Sequence, residues 1–244
     1  MKTLYFDFYD ESRKRQVPVS VYLPEKADGL LTTIVFGPGY QGLEGLTEEE
    51  LLKSYKCKEY TYLAEYFTAK GYAFVSIQHD VFGDVDGLEK VDPNAIQDEA
   101  RRHLYIRGEA NILFALAQLE QQNLPLHLDN LILSGHSNGG DIVKYFVNQH
   151  PELVRSLILF DARRARLRPI SPLPVLMFEA DDTTTDVGVI AEPVQENNAI
   201  RANLDLTVIK PSGALHASYI DGEITEPLKK KIFTALDWFL GSVA

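Results

Sequence analysis

The sequence has 244 residues, of which 45% are hydrophobic and 24% charged, and its formal net charge at pH 7 is −11. These proportions allow a full buried core, and we expect one α/β domain over residues 1–244. The acidic balance disfavours nucleic acid and anionic membrane surfaces as partners, and no apolar run approaches the ~20 residues that cross a bilayer. The first residues carry no apolar leader and Cys57 is the only cysteine, so we expect an intracellular, cytoplasmic protein without an intrachain disulfide.

The chain opens with two segments of alternating hydrophobicity. Residues 3–9 and 17–23 flank a polar turn that begins at Asp10, which predicts an antiparallel hairpin. After the hairpin, apolar strand-like runs alternate with longer helical stretches; the runs are 33–36, 73–77, 131–134, 157–160, 175–178 and 206–209. Strands separated by helices predict a mostly parallel, twisted sheet of about eight strands with helices on both faces.

Three segments have patterns typical of helices. Residues 47–50 look like an N-terminus with a capping glutamate, and Asp92 followed by Pro93 predicts the start of a long helix that reaches Gln122. Gly108 is a candidate for a break in that helix. The last segment, residues 226–240, has apolar side chains on one stripe, which predicts packing on the sheet; they are Leu228, Ile232, Leu236 and Phe239.

The loop at residues 37–42 satisfies the dinucleotide-binding pattern G-x-G-x-x-G. A dinucleotide site needs a helix that begins inside the glycine turn, but Gly45 and Thr47 postpone it, and Pro38 removes an amide that a pyrophosphate would use. We therefore disfavour a nucleotide site. Because the sequence has no His-x-x-x-His or Cys-x-x-Cys spacing, we also expect no metal and no organic cofactor.

The pentad Gly135-His136-Ser137-Asn138-Gly139 lies between an apolar strand and a helical pattern. A serine at such a sharp strand-to-helix corner has its hydroxyl lifted clear of the sheet, and small neighbours are needed to make the turn. The backbone N–H of Asn138 points along the new helix, where it can stabilise an oxyanion. The pentad therefore predicts that Ser137 is a nucleophile.

With this pentad, the sequence resembles the α/β-hydrolase family over nearly its whole length, including serine esterases similar to platelet-activating-factor acetylhydrolases, cutinases and lipases. The resemblance implies a nucleophile, an acid and a histidine in that chain order, with a first oxyanion donor at Asn138. The loop at 37–42 looks like the family's oxyanion loop, although Pro38 replaces the usual histidine. Tyr40 N–H is the preferred second donor, and Gln41 N–H is the alternative.

Among six histidines, His216 follows the last predicted strand in a loop of small residues, so we expect it to act as the general base. His136 belongs to the pentad, and His79 ends a strand beside Asp80. Both are more readily explained as structural, but either could line the substrate pocket together with Tyr40 and Gln41.

Two strand ends offer the acid of a triad. Asp182 follows the run 175–180, where the family most often keeps its acid, and it is our preferred candidate. Asp161 is the alternative, because it follows Ser137 by 24 residues, an arrangement similar to that in platelet-activating-factor acetylhydrolases. Asp181 and Asp186 are less favoured and fit a polar turn that caps its own backbone.

The resemblance implies a serine hydrolase that cleaves a carboxylic ester with a small or medium acyl group through an acyl-enzyme. An acyltransferase, thioesterase or peptidase on the same triad is an alternative, and a hydrolase-shaped protein that only binds a ligand is another. The short connection after Asp161 leaves no room for a large lid, whereas residues 183–203 could cover one side of the pocket. The short connection after Asp161 also contains four arginines that could bind a carboxylate or phosphate, although pairing with surface acids is the simpler interpretation. They are Arg163, Arg164, Arg166 and Arg168.

Overall fold

The computed structural model describes residues 1–41, 47, 49, 55–81, 84, 87–168, 173–189 and 205–243. Of the helix start predicted at 47–50 only residues 47 and 49 are within these ranges, and of the connection predicted over 183–203 only residues 183–189 are.

The described strands form one eight-stranded sheet in the order β1-β2-β4-β3-β5-β6-β7-β8. The first two strands make the predicted hairpin, β2 pairs antiparallel with β4, and all later pairs are parallel. The strands are β1 Lys2–Asp10, β2 Arg15–Leu23, β3 Leu31–Gly37, β4 Ala73–Ile77, β5 Leu126–His136, β6 Val154–Phe160, β7 Val175–Phe178 and β8 Leu206–Ile209. Each predicted strand is confirmed, and so is the mostly parallel sheet.

The α-helices with fully described bounds are α1 Thr61–Ala69, α2 Gln97–Ala100, α3 Arg102–Glu120, α4 Ser137–Gln149 and α5 Glu226–Val243. The helix predicted from Asp92 starts later and is interrupted at Arg101, so the break expected at Gly108 is wrong. Gly108 is buried inside α3, where a β-carbon would overlap the side chain of Ile142 on α4. Gly108 therefore allows close packing of two helices, a role that local sequence cannot distinguish from a break.

The core has two layers, one on each face of the sheet. Within β3, Val35 points into the layer covered by α3 and α4, while Ile34 and Phe36 point into the layer covered by α1 and α5. This alternation is what a strand buried on both faces requires, because successive side chains point to opposite sides. The predicted α5 stripe is buried against the sheet. No helix in the described ranges combines the length and apolar content needed to cross a membrane.

The carboxyl ends of β5 and β6 meet at one edge of the sheet. Their register pairs His136 with Phe160, so Ser137 and Asp161 are the first residues to leave these neighbouring strands. Both residues have left-handed backbone conformations, with φ of 52° at Ser137 and 43° at Asp161. Such conformations cost energy in residues other than glycine and cluster at functional sites.

Candidate active site

Three polar side chains form a connected row at this sheet edge. The Nε2 atom of His216 lies 3.0 Å from Oγ of Ser137. On the other side of the ring, Nδ1 of His216 contacts Oδ2 of Asp161. Ser137 and His216 are partly exposed, whereas Asp161 is only 1% exposed. The row therefore has its hydroxyl end open to solvent and its carboxylate end buried.

The preference for Asp182 as the acid does not agree with this geometry. Asp182 is exposed, and its Oδ1 accepts a hydrogen bond of 2.7 Å from the backbone N–H of His216, not from the ring. The physical reason lies in the sheet order, because β6 is adjacent to β5 while β7 is one strand further away. The carboxylate that follows β6 is thus the one that reaches the imidazole.

The surroundings of Asp161 favour its ionised form. Burial alone would raise the pKa of this carboxyl, but the contact with His216 and hydrogen bonds from Thr183 Oγ1 and the N–H of Ala180 lower it below its ordinary value. Nε of Arg163 also lies 3.4 Å from Oδ2 of Asp161. A carboxylate held ionised in this way can orient the imidazole and stabilise its protonated form.

Asp181 and Asp182 hold the loop that carries the histidine. Asp181 Oδ2 accepts from the N–H of Gly213 at 2.6 Å, and the N–H of Asp181 donates to the carbonyl of Ala214 at 2.6 Å. Together with the bond from the N–H of His216 to Asp182, these contacts hold the loop from Gly213 to His216. The acidic pair after β7 therefore positions the backbone around His216.

The loop after β3 packs directly on the turn at Ser137. A β-carbon at Gly139 would overlap the carbonyl oxygens of Gly37 and Pro38, and one at Gly39 would lie 3.6 Å from Cβ of Ser137. Gly139 is thus required by a close approach of two backbones. The N–H of Gly39 is already used, since it donates to Tyr60 Oη at 3.0 Å.

Tyr60 and His136 connect this loop with the histidine loop. The carbonyl oxygen of His216 can only accept, so Nε2 of His136, 2.9 Å away, carries the ring proton and donates to it. Nδ1 of the neutral ring is then an acceptor, and it accepts from Tyr60 Oη at 2.9 Å. This arrangement also fixes the tautomer of His136. The phenol of Tyr60 was not recognised from the sequence, because nothing local marks its contact with residues 21 and 76 positions away.

Replacing Tyr60 by Phe is expected to leave the N–H of Gly39 and Nδ1 of His136 buried without partners. The loss should reduce the free energy of unfolding by about 2 kcal/mol and lower kcat by about 10-fold with little change in KM, because both loops of the site are loosened. Urea unfolding and ester turnover measure the two effects. Tyr66→Phe is the matched control on α1, since it loses a bond of 2.6 Å to Asp237 away from the site. Equal losses of turnover in both variants would contradict the account.

The other residues considered for substrate contact differ in exposure. Tyr40 is partly exposed, and its Oη accepts from the N–H of Leu88 at 3.2 Å. In contrast, Gln41, His79 and His136 are 4%, 2% and 1% exposed. The last three are therefore corrected to buried positions: the side chains of Gln41 and His136 are hydrogen-bonded inside the protein, and that of His79 is enclosed by packing.

The side chain of Asn138 is hydrogen-bonded to a buried ion pair. Its Nδ2 donates to Oδ2 of Asp80 at 3.3 Å, and Oδ1 of Asp80 accepts from Arg107 at 2.6 Å. Asp80 follows β4, as Asp161 follows β6, so both carboxylates belong to the same edge of the sheet. The strand-end position of Asp80 was visible in the sequence, but its partner on α3 was not.

Two buried histidines make the stability of the fold depend on pH. Burial, with the charges of Arg15 and Arg107, lowers the pKa of His79 to about 3. Burial, with the charge of His216, lowers the pKa of His136 to about 3. The unfolded chain takes up protons at these residues below about pH 6.5, whereas the folded chain does so only near pH 3. The contribution of these two histidines to the free energy of unfolding is therefore largest above pH 6.5 and decreases as pH falls towards 3.

Between pH 7 and pH 5 we expect the free energy of unfolding to fall by about 2 kcal/mol for each of these histidines. Neither ring nitrogen of His79 has a hydrogen-bond partner among the described residues, so His79→Phe should fold and lose half of this pH dependence. Urea unfolding at both pH values measures it. His127→Gln, at the other end of β5, controls for a histidine substitution. An unchanged pH dependence in His79→Phe would contradict the assignment.

No protein-family model matches the sequence, and no curated protein sequence is significantly similar to it. Solved structures are similar in fold. Thermogutta terrifontis esterase 2 phosphonylated by cyclosarin has a TM-score of 0.65 and 14% identity, with 99% of this chain and 94% of that chain covered. A thermostable esterase has a TM-score of 0.59 and 17% identity, with 98% of this chain and 62% of that chain covered. Alpha/beta hydrolase domain-containing protein 10 from mouse has a TM-score of 0.58 and 14% identity, with both chains fully covered (100%).

These similarities, together with the strand order and the turn at Ser137, define the class: the chain has the fold of the α/β-hydrolase family. The fold expected from the sequence is thereby confirmed, and no large inserted domain is present in the described ranges.

Proposed function

We propose that the protein is a serine hydrolase that cleaves a carboxylic ester with a small or medium acyl group. Ser137 is the nucleophile, His216 the general base and then acid, and Asp161 the carboxylate that orients the imidazole. The observation that carries the proposal is the 3.0 Å approach of His216 Nε2 to Ser137 Oγ, with Asp161 bound at Nδ1 of the same ring.

Two further observations support an esterase. The structures similar to this chain include esterases, one of them phosphonylated by cyclosarin. In addition, β6 ends at Phe160 and β7 begins at Val175, so the connection between them is too short for a large apolar lid. A connection of this length favours short acyl chains over long-chain lipids.

In the first step, Nε2 of His216 takes the proton of Ser137 as Oγ attacks the carbonyl carbon of the ester. The carbonyl oxygen becomes an oxyanion, which the backbone N–H groups of Asn138 and Tyr40 stabilise. Asn138 is suited to this because it lies in the first turn of α4, whose N–H groups have no partner within the helix. The N–H of Gly39 is bound to Tyr60, so we assign the second donor to the next residue in the loop, Tyr40.

The imidazolium of His216 then gives its proton to the alcohol oxygen as the C–O bond breaks, leaving an ester between Ser137 and the acyl group. In the second step His216 removes a proton from water, the hydroxide oxygen attacks the acyl carbon, and the proton returns to Ser137 Oγ as the acid leaves. Asp161 remains ionised throughout and stabilises the imidazolium formed in each half.

Hydrolysis of p-nitrophenyl esters from acetate to laurate tests the proposal. We expect turnover of the short and medium esters and a decline for the long ones. Adding an alcohol or amine separates hydrolysis from acyl transfer, because a transferase divides the acyl group between the acceptor and water. A properly folded protein that turns over no ester or thioester would instead support a ligand-binding role.

A further inference from the structure

A buried ion pair lies on α4, the helix that begins at Ser137. Oδ1 of Asp141 lies 3.0 Å from Nζ of Lys144, and the two side chains are 2% and 1% exposed. Lysine side chains are rarely buried unless they are paired. A buried ion pair is also weak evidence for stability, because both charges lose their hydration. The presence of this pair is therefore better explained by the other groups that it binds.

Both members of the pair bind the segment 162–165, which follows the proposed acid. The carboxylate accepts at 3.0 Å from the backbone N–H groups of Arg164 and Ala165. The ammonium group donates at 3.1 Å to the carbonyl of Ala162. Hydrogen bonds to charged groups are stronger than those between neutral groups. Three backbone groups of one short segment are thus held by charges on α4.

The first turn of α4 packs against the same segment. A β-carbon at Gly140 would lie 2.6 Å from Cβ of Ala162, so the two chains approach each other closely. The segment leaves β6 through Asp161, whose φ of 43° is left-handed. A non-glycine residue keeps such a conformation only when its surroundings hold it. The ion pair supplies contacts of this kind directly after the strained residue.

The same segment contains a side chain that reaches the acid. Arg163 lies between the residues bound by the ion pair, and its Nε is 3.4 Å from Oδ2 of Asp161. That carboxylate oxygen also contacts Nδ1 of His216. The positions of Asp161 and Arg163 behind the imidazole therefore depend on how the segment is fixed to α4. Because α4 begins at Ser137, one helix carries the nucleophile and holds the chain next to the acid.

We propose that Asp141 and Lys144 are positioning residues of the triad. Their ion pair fixes the segment 162–165 to the nucleophile helix and so sets the position of Asp161 relative to His216 and Ser137. This inference rests on the proposed function, because it concerns the alignment of that triad. A misplacement of about 1 Å in a catalytic group can reduce the rate about 100-fold.

Asp141→Asn tests the proposal, because an amide oxygen accepts more weakly from the two N–H groups and carries no charge for Lys144. We expect kcat for p-nitrophenyl butyrate to fall about 10-fold or more, while KM changes less than about twofold. Unchanged turnover in a folded Asp141→Asn protein would overturn the proposal.

Asp10→Asn is the matched control. Oδ1 of Asp10 likewise accepts from two backbone N–H groups, those of Ser12 and Arg13, at 3.0 and 3.2 Å, and Asp10 is also paired with a cation, that of Arg13. Asp10 ends β1, and β2, β4 and β3 lie between β1 and β5. Both variants should unfold at a lower urea concentration than the wild type, but Asp10→Asn should keep kcat within about twofold.

A double-mutant cycle separates positioning from a general loss of structure. In an Asp161→Asn background, Asp141→Asn should change the rate of fluorophosphonate labelling at Ser137 less than about twofold, because the carboxylate that it positions is gone. In the wild-type background the same substitution should slow labelling about 10-fold or more. An equal fold loss in both backgrounds would overturn the proposal.

If Asp141→Asn fails to fold, Asp141→Asn/Lys144→Met replaces it. This double variant leaves no unpaired buried charge, and neutral replacements of buried ion pairs are often tolerated. It should show the same loss of kcat, and wild-type kcat in the folded double variant would contradict the positioning role.

A second readout does not depend on turnover. The proton between His216 Nδ1 and Asp161 should give a low-field proton NMR resonance that is lost in Asp161→Asn, is shifted or broadened in Asp141→Asn, and is unchanged in Asp10→Asn. If no ester is cleaved but Asp141→Asn moves this resonance, the proposed function fails and the positioning role stands. If esters are cleaved through Ser137 while Asp141→Asn keeps both kcat and the resonance, the positioning role fails and the proposed function stands.

Discussion

Ser137→Ala is expected to lower kcat/KM for p-nitrophenyl butyrate by about 10³-fold to 10⁶-fold. The variant removes the hydroxyl oxygen that lies 3.0 Å from His216 Nε2 and would form the acyl-enzyme, whereas the oxyanion donors remain. The residual rate should therefore exceed that of the uncatalysed reaction. The measurement is steady-state turnover with protein that has the wild-type free energy of unfolding in urea.

Ser134→Ala provides a control on the same strand. Its hydroxyl is buried in β5 and has no hydrogen-bond partner among the described residues, so its removal should leave turnover within about twofold of wild type. Full turnover in Ser137→Ala would overturn the assignment of the nucleophile.

Asp161→Asn is expected to reduce kcat by about 10⁴-fold. An amide in place of the carboxylate no longer stabilises the imidazolium and can hold His216 in the wrong tautomer, with its proton on Nε2, facing Ser137. KM should change little, because Asp161 is buried and does not reach the substrate. The measurement is kcat and KM for the same ester.

Asp182→Asn is the matched comparison, because the asparagine Oδ1 can still accept the bond from the backbone N–H of His216. We expect a change of no more than about threefold in kcat. If Asp182→Asn reduced kcat more than Asp161→Asn, the acid of the triad would be Asp182, after β7.

Much of the fold could be predicted from the sequence because it depends on local patterns. The alternation of apolar strands with helices specifies a parallel sheet, and the small residues around Ser137 specify a sharp turn at the end of β5. Gly108 shows where local patterns stop. A glycine in a helix predicts a point where the helix is less stable. Whether Gly108 breaks its helix or makes room for Ile142 depends on a second helix, which is distant in sequence.

The residues of the candidate site could be predicted where their order along the chain was enough to identify them. Ser137 and His216 were identified by their motif and their loop, but the choice between Asp161 and Asp182 required the sheet order and the register of His136 with Phe160. Tyr60 and Asp80 act through contacts across the sheet edge with His136 and Asn138, and no local pattern indicates those contacts.

The most direct measurement of the central claim is reaction of the wild-type protein with a fluorophosphonate, followed by mass spectrometry of the labelled peptide. The account predicts stoichiometric labelling at Ser137, loss of labelling in Ser137→Ala, and slow labelling in Asp161→Asn, because only a serine activated by an oriented histidine reacts rapidly. A folded wild-type protein that stays unlabelled, or that is labelled at another residue, would contradict it.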